Sequence, residues 1–280
     1  MNRPDRRTIL AVGVPGTGKT VLIMRITDAM LERDGYDSIF VLDRKEEWSE
    51  QLEPLVGDLE AQLEELEEDE ARVEAAKRQR GWEGLAVRKH HGPLIRSADE
   101  YDAYCRLLAL ERRAEVPTLV PRRVIWRCGW DVNAYGVALA AACNQGNVAI
   151  VFCEAPDWFT SHEAQWPLAN IPGRPDVSLA QLYSQGRAHI KNAAGAKCRI
   201  HLICDSQDLA MVHWKPRKFS ETVLLSRIEG GESYAVIRRE FGDGTDDIVN
   251  RVRAISDHEW LAVRGTMPEL GPYRGGGRAG

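Results

Sequence analysis

One stretch near the amino end constrains the fold more than any other. A short apolar run leads into GVPGTGKT, residues 13–20, and the chain then continues with helical spacing. The eight residues match the pattern G-x-x-x-x-G-K-[ST], and their flanks predict a strand before them and a helix after them. Glycines let backbone N–H groups turn inward around an anion, and the helix points its positive amino end at the same place. The stretch therefore predicts a phosphate-binding loop.

The two residues that close this loop have distinct expected roles. Lys19 is expected to reach the β- and γ-phosphates of a nucleotide, and the Thr20 hydroxyl is expected to ligate Mg²⁺. ATP and Mg²⁺ are therefore the predicted ligand and ion. The predicted nucleotide contacts are Gly13, Val14, Pro15, Gly16, Thr17, Gly18, Lys19 and Thr20.

The rest of the chain alternates short apolar segments with segments of helical spacing. The predicted strands include SIFVLD (38–43), RRVIWRC (122–128), NVAIVFCEA (147–155) and CRIHLICDSQD (198–208). This alternation predicts an α/β fold with a mostly parallel sheet and helices on both faces. Residues 222–240, TVLLSRIEGGESYAVIRRE, predict a C-terminal β-hairpin that turns at Gly230 and Gly231.

The domain organisation follows from changes in composition. Residues 1–265 are predicted to form a single domain, and residues 50–92 form a charged helical insertion after the second strand. Within the insertion, apolar residues recur every seven positions from Leu52 to Val73, but the second apolar position of the heptad decays to Gln62 and Asp69. A helix laid against its own domain is therefore favoured over a long coiled coil. Residues 266–280 are predicted to be a flexible Gly-rich tail.

Composition bounds the class of protein. The chain has 280 residues, of which 44% are hydrophobic and 28% charged, as is typical of a soluble globular protein. Its start, MNRPDRRTIL, lacks the long apolar stretch of a signal peptide or membrane span, so we expect a cytoplasmic protein with no transmembrane segment. The six cysteines form no Cys-x-x-Cys pair, which argues against zinc and a disulfide framework. The net charge of −5 does not indicate an overall polyanion binder, although a local basic surface is compatible with it.

Two predicted strands end in an acid that is a candidate for catalysis. Glu154 follows AIVFC, and Asp205 follows IHLIC. Choosing Glu154 leaves Ser206 and Gln207 at the end of the next strand, where a polar side chain can sense the γ-phosphate. The assignment of Glu154 therefore gives Ser206 and Gln207 a role as well, and Asp205 remains the alternative.

Five motifs together resemble a known family. GVPGTGKT, VLDRKEEW, VFCEA, QGRAHI and ICDSQD look like the motifs of the FtsK–HerA superfamily of DNA-translocating ATPases. They are most similar to those of the genome-packaging ATPases of tailless, membrane-containing viruses. The resemblance covers most of residues 8–240 apart from the insertion. It implies a RecA-like (ASCE) P-loop NTPase fold.

The resemblance also implies roles for particular residues. Glu154 would be the general base and would also act on the metal through water, while Gln207 would be the γ-phosphate sensor. Arg187 would reach the nucleotide of the neighbouring subunit, with Arg199 as the second choice. Cys153 departs from the family, because it occupies the position of an aspartate that orients the magnesium shell. Either hydrolysis is slow, or another acid such as Asp205 or Asp43 supplies the missing charge.

The function implied by the resemblance is ATP-driven movement of double-stranded DNA, with a viral genome packaged into a preformed capsid. The expected partners are further copies of the chain in a hexameric ring, double-stranded DNA, and a capsid or membrane vertex component, in the host cytoplasm or the virion. Candidate DNA-contacting segments are VRKHHG (87–92), HWKPRK (213–218) and RIEGGESYAVIRR (227–239). Trp158 and Trp166 either plug a subunit interface or pack on the domain.

Two other functional classes remain open from the sequence. One is a zonula-occludens-toxin-like assembly ATPase of filamentous phages, but such proteins usually carry a transmembrane segment and none is visible here. The other is a non-motor nucleotide switch or small-molecule kinase. A kinase would close a lid of arginines over its acceptor and would not need a Ser-Gln sensor.

Overall fold

An eight-stranded sheet organises the part of the chain that the structure describes. The computed structural model describes residues 8–33, 35–45, 47–48, 94–95, 97, 100, 122–127, 131–160, 162–184, 190–192, 194–241 and 246–271. The strands of the main sheet are β1 (Thr8–Val12), β2 (Ser38–Leu42), β3 (Leu94–Ile95), β4 (Arg122–Trp126), β5 (Asn147–Phe152), β8 (Arg199–Ser206), β9 (Thr222–Leu225) and β10 (Leu261–Arg264). A second, two-stranded sheet pairs β6 (Asn170–Ile171) with β7 (Arg174–Ser178).

Helices connect these strands. They are α1 (Lys19–Arg33), α2 (Val132–Gln145), α3 (Ala155–Trp158), α4 (Leu179–Ser184), α5 (Trp214–Phe219), α6 (Gly231–Phe241) and α7 (Asp247–Ala254), with a 3₁₀ turn at Glu163–Gln165. Local sequence signals set their ends. For example, the Asp131 carboxylate caps α2 by accepting the N–H groups of Asn133 and Ala134, and Gly146 ends the helix in the left-handed region at φ 89°.

The strand order of the main sheet is β10-β9-β1-β8-β5-β2-β4-β3. All neighbouring pairs are parallel except β9 with β10, which confirms the predicted mostly parallel sheet. Strand β8 lies directly between β1 and β5. The carboxyl ends of parallel strands meet at one edge of a sheet, so the loops after β1, β2, β5 and β8 converge there.

Buried side chains cover both faces of the sheet. Residues alternate along β1, so that Ile9 and Ala11 pack in the cluster that contains α1, while Leu10 and Val12 pack in the cluster that contains α2. This arrangement confirms the expected helices on both faces. Among the described residues, no helix combines the length and apolar character needed to cross a membrane.

The predicted C-terminal β-hairpin is wrong. Strand β9 ends at Leu225, and the segment beyond Gly230 forms helix α6. The buried residues Ser233, Val236 and Ile237 are spaced three and four apart, which is helical rather than alternating spacing. Strand β9 instead pairs antiparallel with β10, far along the chain.

The predicted insertion at 50–92 and residues 272–280 lie outside the described residues, so the division into one domain, insertion and tail stays a prediction.

A substitution at Gly265 tests the turn that follows β10, the edge strand of the main sheet. Its φ is +70°, and a Cβ added there would lie 2.5 Å from the Glu221 carbonyl oxygen. Gly265→Ala should therefore lower the free energy of unfolding by about 2 kcal/mol in urea titrations. Gly231→Ala is the matched control, because a Cβ there meets no atom within 4 Å and alanine favours the helix. Equal stability of the two variants would contradict the β9–β10 geometry.

Candidate nucleotide-binding site

The loop between β1 and α1 has the backbone shape that its glycines predict. Gly16 and Gly18 have φ values of 84° and 79°, in the left-handed region. At Gly13 a Cβ would lie 2.7 Å from the Thr17 hydroxyl, so a side chain has no room there. The loop is anchored on both sides, because the Gly13 N–H donates to the Ser206 carbonyl and the Val14 N–H to the Arg227 carbonyl. We call residues 13–20 the P-loop from here on.

Lys19 is folded back over the P-loop. Its Nζ donates to the carbonyl oxygens of Gly13 at 2.7 Å and Val14 at 3.2 Å, and the residue is buried. Burial lowers the pKa of Lys19, while the charges of Asp205, Glu47 and Glu154 act in the opposite direction. The ammonium group is thus held inside the loop where a phosphate group would be bound.

Glu154 lies at the end of β5 in an unusual backbone conformation. Its φ of 59° places a non-glycine residue in the left-handed region. Its carboxylate contacts two neighbouring segments: Oε2 pairs with the Lys45 ammonium at 2.7 Å, and Oε1 lies 3.5 Å from the Gln207 backbone nitrogen as a weak acceptor. The structure therefore brings the expected base and the expected sensor together.

Asp205 belongs to the same site rather than to a competing one. Its Oδ1 accepts the backbone N–H of Glu154 at 2.5 Å, and its charge acts on Lys19. Burial raises the pKa of Asp205 to about 7; the Glu154 N–H and the Lys19 charge oppose this rise, and the charges of Glu154 and Glu47 add to it. Glu154 and Asp205, which were proposed as alternatives from the sequence, thus lie side by side. The Glu154 carboxylate contacts Lys45, and Asp205 is buried against the Glu154 backbone.

The segment after β2 is a third element of the site; the structure describes its residues 43–45 and the helical residues 47–48, and of these only Asp43 was considered from the sequence, as a source of the missing charge. The buried Asp43 carboxylate accepts the backbone N–H of Trp48 at 3.1 Å and so shapes the loop. Lys45 pairs with Glu154, and Glu47 Oε2 accepts the Thr20 hydroxyl at 2.7 Å. The available signal was the run of charges directly after a buried strand that ends at the same edge of the sheet.

Cys153, at the position of the family's aspartate, is a neutral buried group. Burial raises the pKa of its thiol far above the ordinary value, and the nearby charges of Asp43, Asp205 and Glu47 raise it further. A soft sulfur donor is also a poor ligand for a hard cation such as Mg²⁺. Its packing in the α1 cluster fits the small-filler role considered from the sequence.

The residues around Thr20 fit a magnesium ion. Magnesium prefers oxygen ligands in an octahedron with bonds of about 2.0–2.1 Å, so adjacent ligands lie about 2.9 Å apart. Thr20 Oγ1 and Glu47 Oε2 are 2.7 Å apart, close to that spacing. Among the described residues, no group of three or more His, Cys, Asp or Glu side chains forms a ready-made metal cage. A site of this kind suits an ion that is held jointly with nucleotide phosphates.

Other candidates from the sequence lie elsewhere. Arg187 is outside the described residues. Arg199 stacks over the Tyr36 ring at 4.7 Å, at the amino end of β8 and so at the opposite edge from the P-loop. Trp158 and Trp166 are buried against side chains of the same chain, including Phe152 and Arg44 at Trp158 and Phe159 at Trp166. This is the packing alternative of the two considered.

The structure places the three candidate DNA-contacting segments in different settings. Residues 87–92 lie outside the described residues. Residues 227–239 form a loop and most of α6 rather than the expected hairpin. Residues 213–218 contain most of α5, where the exposed Trp214 ring is flanked by the ammonium groups of Lys215 at 5.7 Å and Lys218 at 5.8 Å. Lys215 is also paired with Glu163 at 2.7 Å, so Lys218 and the Trp214 ring are the parts of this segment that keep the chemistry expected of a polyanion contact.

Comparison with known proteins supports the fold assignment. No family model and no curated protein matches the chain. Among solved structures, the genome-packaging NTPase B204 of Sulfolobus turreted icosahedral virus 2, in complex with ATP-γS, is 12% identical with a TM-score of 0.53, and the match covers 98% of this chain and 99% of that one. The DNA-packaging ATPase B204 of Sulfolobus turreted icosahedral virus is 11% identical with a TM-score of 0.52, covering 96% and 97%.

These likenesses define the class of fold. The chain has the fold of a RecA-like P-loop NTPase, with a parallel sheet whose P-loop precedes α1. The resemblance to viral genome-packaging ATPases, inferred from five short motifs, is confirmed at the level of the fold.

The buried charge of Asp205 has a measurable effect on stability. An unfolded aspartate titrates near pH 3.9, and the folded pKa of about 7 is higher, so the unfolded state loses its proton first and stability falls as pH rises between these values. Asp205→Asn removes this loss while keeping an acceptor for the Glu154 N–H. We expect the melting temperature of the ligand-free variant to exceed that of the wild type by roughly 3 °C or more at pH 8, and by less at pH 5.5.

Asp176→Asn is the control for this effect. Asp176 is exposed, and its pKa is lowered by the hydrogen bond from Arg174, so it is ionised at both pH values. Its substitution should change the melting temperature equally at pH 5.5 and pH 8. A gain for Asp205→Asn that is the same at both pH values would show that Asp205 is not held with a raised pKa.

Proposed function

We propose that this protein is an ATPase that works as a ring and translocates double-stranded DNA, with packaging of a viral genome into a preformed capsid as its task. The observation that carries this proposal is the convergence of the P-loop, Glu154 and Gln207 at one edge of the sheet. A phosphate-binding loop alone serves switches and kinases as well as motors. The addition of a positioned carboxylate and a neighbouring polar sensor favours hydrolysis.

The roles of the chain's own residues follow from their positions. The P-loop amides and Lys19 bind the phosphates, and Lys19 exchanges the carbonyls of Gly13 and Val14 for phosphate oxygens. Thr20 would hold Mg²⁺, which when bound neutralises charge on the β- and γ-phosphate oxygens. Glu154 orients the attacking water and accepts its proton, while Gln207 lies beside it to contact the γ-phosphate.

The ion pair between Lys45 and Glu154 bears on the timing of this step. The Glu154 oxygen that pairs with the Lys45 ammonium at 2.7 Å is occupied by that contact and cannot orient the attacking water at the same time. Release of Glu154 from Lys45, once the negative γ-phosphate offers Lys45 another partner, would make the glutamate available. Hydrolysis is then favoured in the nucleotide-bound state.

The ring and the DNA contact are further parts of the proposal. Arg187 would complete the site of the next subunit in a hexamer, because charge that develops on the transferred phosphoryl group requires an additional cation. Lys218 beside Trp214 on α5 would grip the DNA backbone independently of sequence, joined by Lys215 when a DNA phosphate replaces Glu163 as its partner. Support for DNA as the cargo comes from the likeness to B204, a genome-packaging NTPase of two Sulfolobus viruses.

ATP turnover measured with and without double-stranded DNA tests this function. The wild type should hydrolyse ATP, and DNA of mixed sequence should stimulate turnover severalfold. Lys19→Ala should lose nucleotide binding while keeping its circular dichroism spectrum, since the ammonium is a phosphate counter-charge. The exposed Lys191, which lies away from the P-loop, gives the matched control Lys191→Ala with normal binding. Turnover that ignores DNA would favour the nucleotide switch or kinase, and turnover dependent on membranes would favour the phage assembly ATPase.

A mixing experiment tests the ring. Arg187→Ala protein should bind ATP normally but hydrolyse it at least about 10³-fold more slowly, and Glu154→Gln protein should also bind without turnover. Mixed rings should regain activity, because some junctions pair an intact Arg187 from one subunit with an intact Glu154 from the other. Co-assembly of the two variants without activity above the sum of the separate proteins would contradict an arginine supplied between subunits.

A further inference from the structure

The metal site has a missing charge that the chain must supply from elsewhere. In P-loop NTPases the metal is held by the loop's Ser or Thr together with an aspartate from the acidic strand. Here Cys153 follows that strand and is buried in the cluster that contains α1. Sulfur is a soft donor and a poor ligand for a hard cation, so residue 153 does not perform the aspartate's task.

Three carboxylates lie close enough to Cys153 to act on its thiol, and their contacts distinguish them. Asp43 is buried, and its Oδ2 accepts the Trp48 N–H within its own segment. Asp205 is buried, and its Oδ1 accepts the Glu154 N–H at the end of β5. Glu47 is exposed, and its Oε2 accepts the hydroxyl of Thr20 at 2.7 Å. Of the three, Glu47 is the one whose described contact is with the expected metal ligand.

We propose that Glu47 supplies the carboxylate of the magnesium site in place of residue 153. Its carboxylate accepts the hydrogen bond of the Thr20 hydroxyl, which orients the hydroxyl oxygen toward the ion, and acts on the ion directly or through one coordinated water. This inference rests on the proposed ATP binding. It assigns the metal-site carboxylate to the loop after β2, whereas the acidic strand β5 keeps the base.

The charge of Glu47 predicts opposite effects with and without metal. Glu47, Glu154 and Asp205 all act on Lys19, the counter-charge for the phosphates. Without a metal ion, the negative Glu47 repels the phosphates, so its neutralisation should tighten nucleotide binding. With a metal ion, the same carboxylate attracts the cation, so its neutralisation should weaken metal binding. A purely structural role for Glu47 would change both in one direction.

Two titrations on the full-length chain test the proposal. Calorimetry measures ATP-γS affinity in EDTA, and Mn²⁺ paramagnetic resonance measures metal affinity of the ATP-γS complex. Glu47→Gln should bind ATP-γS at least about twofold more tightly in EDTA, and its complex should bind Mn²⁺ about 10-fold or more weakly. Glu269→Gln, which changes an exposed glutamate paired with Arg33 at the other end of α1, should match the wild type in both.

The results of these titrations distinguish a failure of the Glu47 proposal from a failure of the proposed function. Unchanged Mn²⁺ affinity in Glu47→Gln would overturn the proposal, as would a loss in Asp205→Asn with none in Glu47→Gln. Weaker ATP-γS binding by Glu47→Gln in EDTA would also overturn it, since Glu47 would then support the P-loop rather than the ion. Failure of the wild type to bind ATP-γS under either condition would instead overturn the proposed function. Glu47→Gln is at an exposed position, so its fold should survive.

Discussion

The parallel pairing of β8 with both β1 and β5 is the constraint on which the rest of the site depends. This pairing fixes the register of three strands, so that Ser206 lies beside Val12 and Cys204 beside Phe152. The loops that follow must then share one edge, with the P-loop next to Asp205 and Asp205 directly under the backbone of Glu154. Strand pairing thereby brings together a site that is spread over widely separated segments of sequence, and side-chain contacts such as that of Asp205 with the Glu154 N–H complete it.

The loop after β2 enters this edge from the other side of β5. Strand β2 pairs with β5 in parallel, so residues 43–48 leave the sheet beside Cys153 and Glu154. The loop then contributes one contact to the base, through Lys45, and one to the P-loop hydroxyl, through Glu47. The two charges of opposite sign are two residues apart. One contacts the expected base and the other the expected metal ligand.

Local signals made much of this architecture predictable, and long-range contacts explain the rest. The P-loop, the buried strands and the parallel sheet follow from short patterns, because glycines and apolar runs act within a few residues. The hairpin prediction at 222–240 was wrong because two glycines favour a turn, whereas the helical spacing of Ser233, Val236 and Ile237 decides the structure. Glu154 and Asp205 looked like alternatives in the sequence, and the β5–β8 pairing makes them neighbours.

The contact between Glu47 and Thr20 could not be predicted in the same way. It depends on the path that the chain takes after β2, and the sequence alone does not say which carboxylate of VLDRKEEW turns toward the P-loop. The departure at Cys153 was visible, but its compensation was sought in Asp43 and Asp205. Both are acids at strand ends, whereas the contact with Thr20 comes from farther along the loop.

The position of the metal ion tests the account most directly. Crystals grown with ATP-γS and Mn²⁺, with data recorded at a wavelength where manganese scatters anomalously, locate the ion independently of the protein density. The account predicts one anomalous peak about 2.1 Å from Thr20 Oγ1. The Glu47 carboxylate should lie within about 4.5 Å of that peak, the reach of one coordinated water. An ion that is bound by Asp205, or that lies away from Thr20, would contradict it.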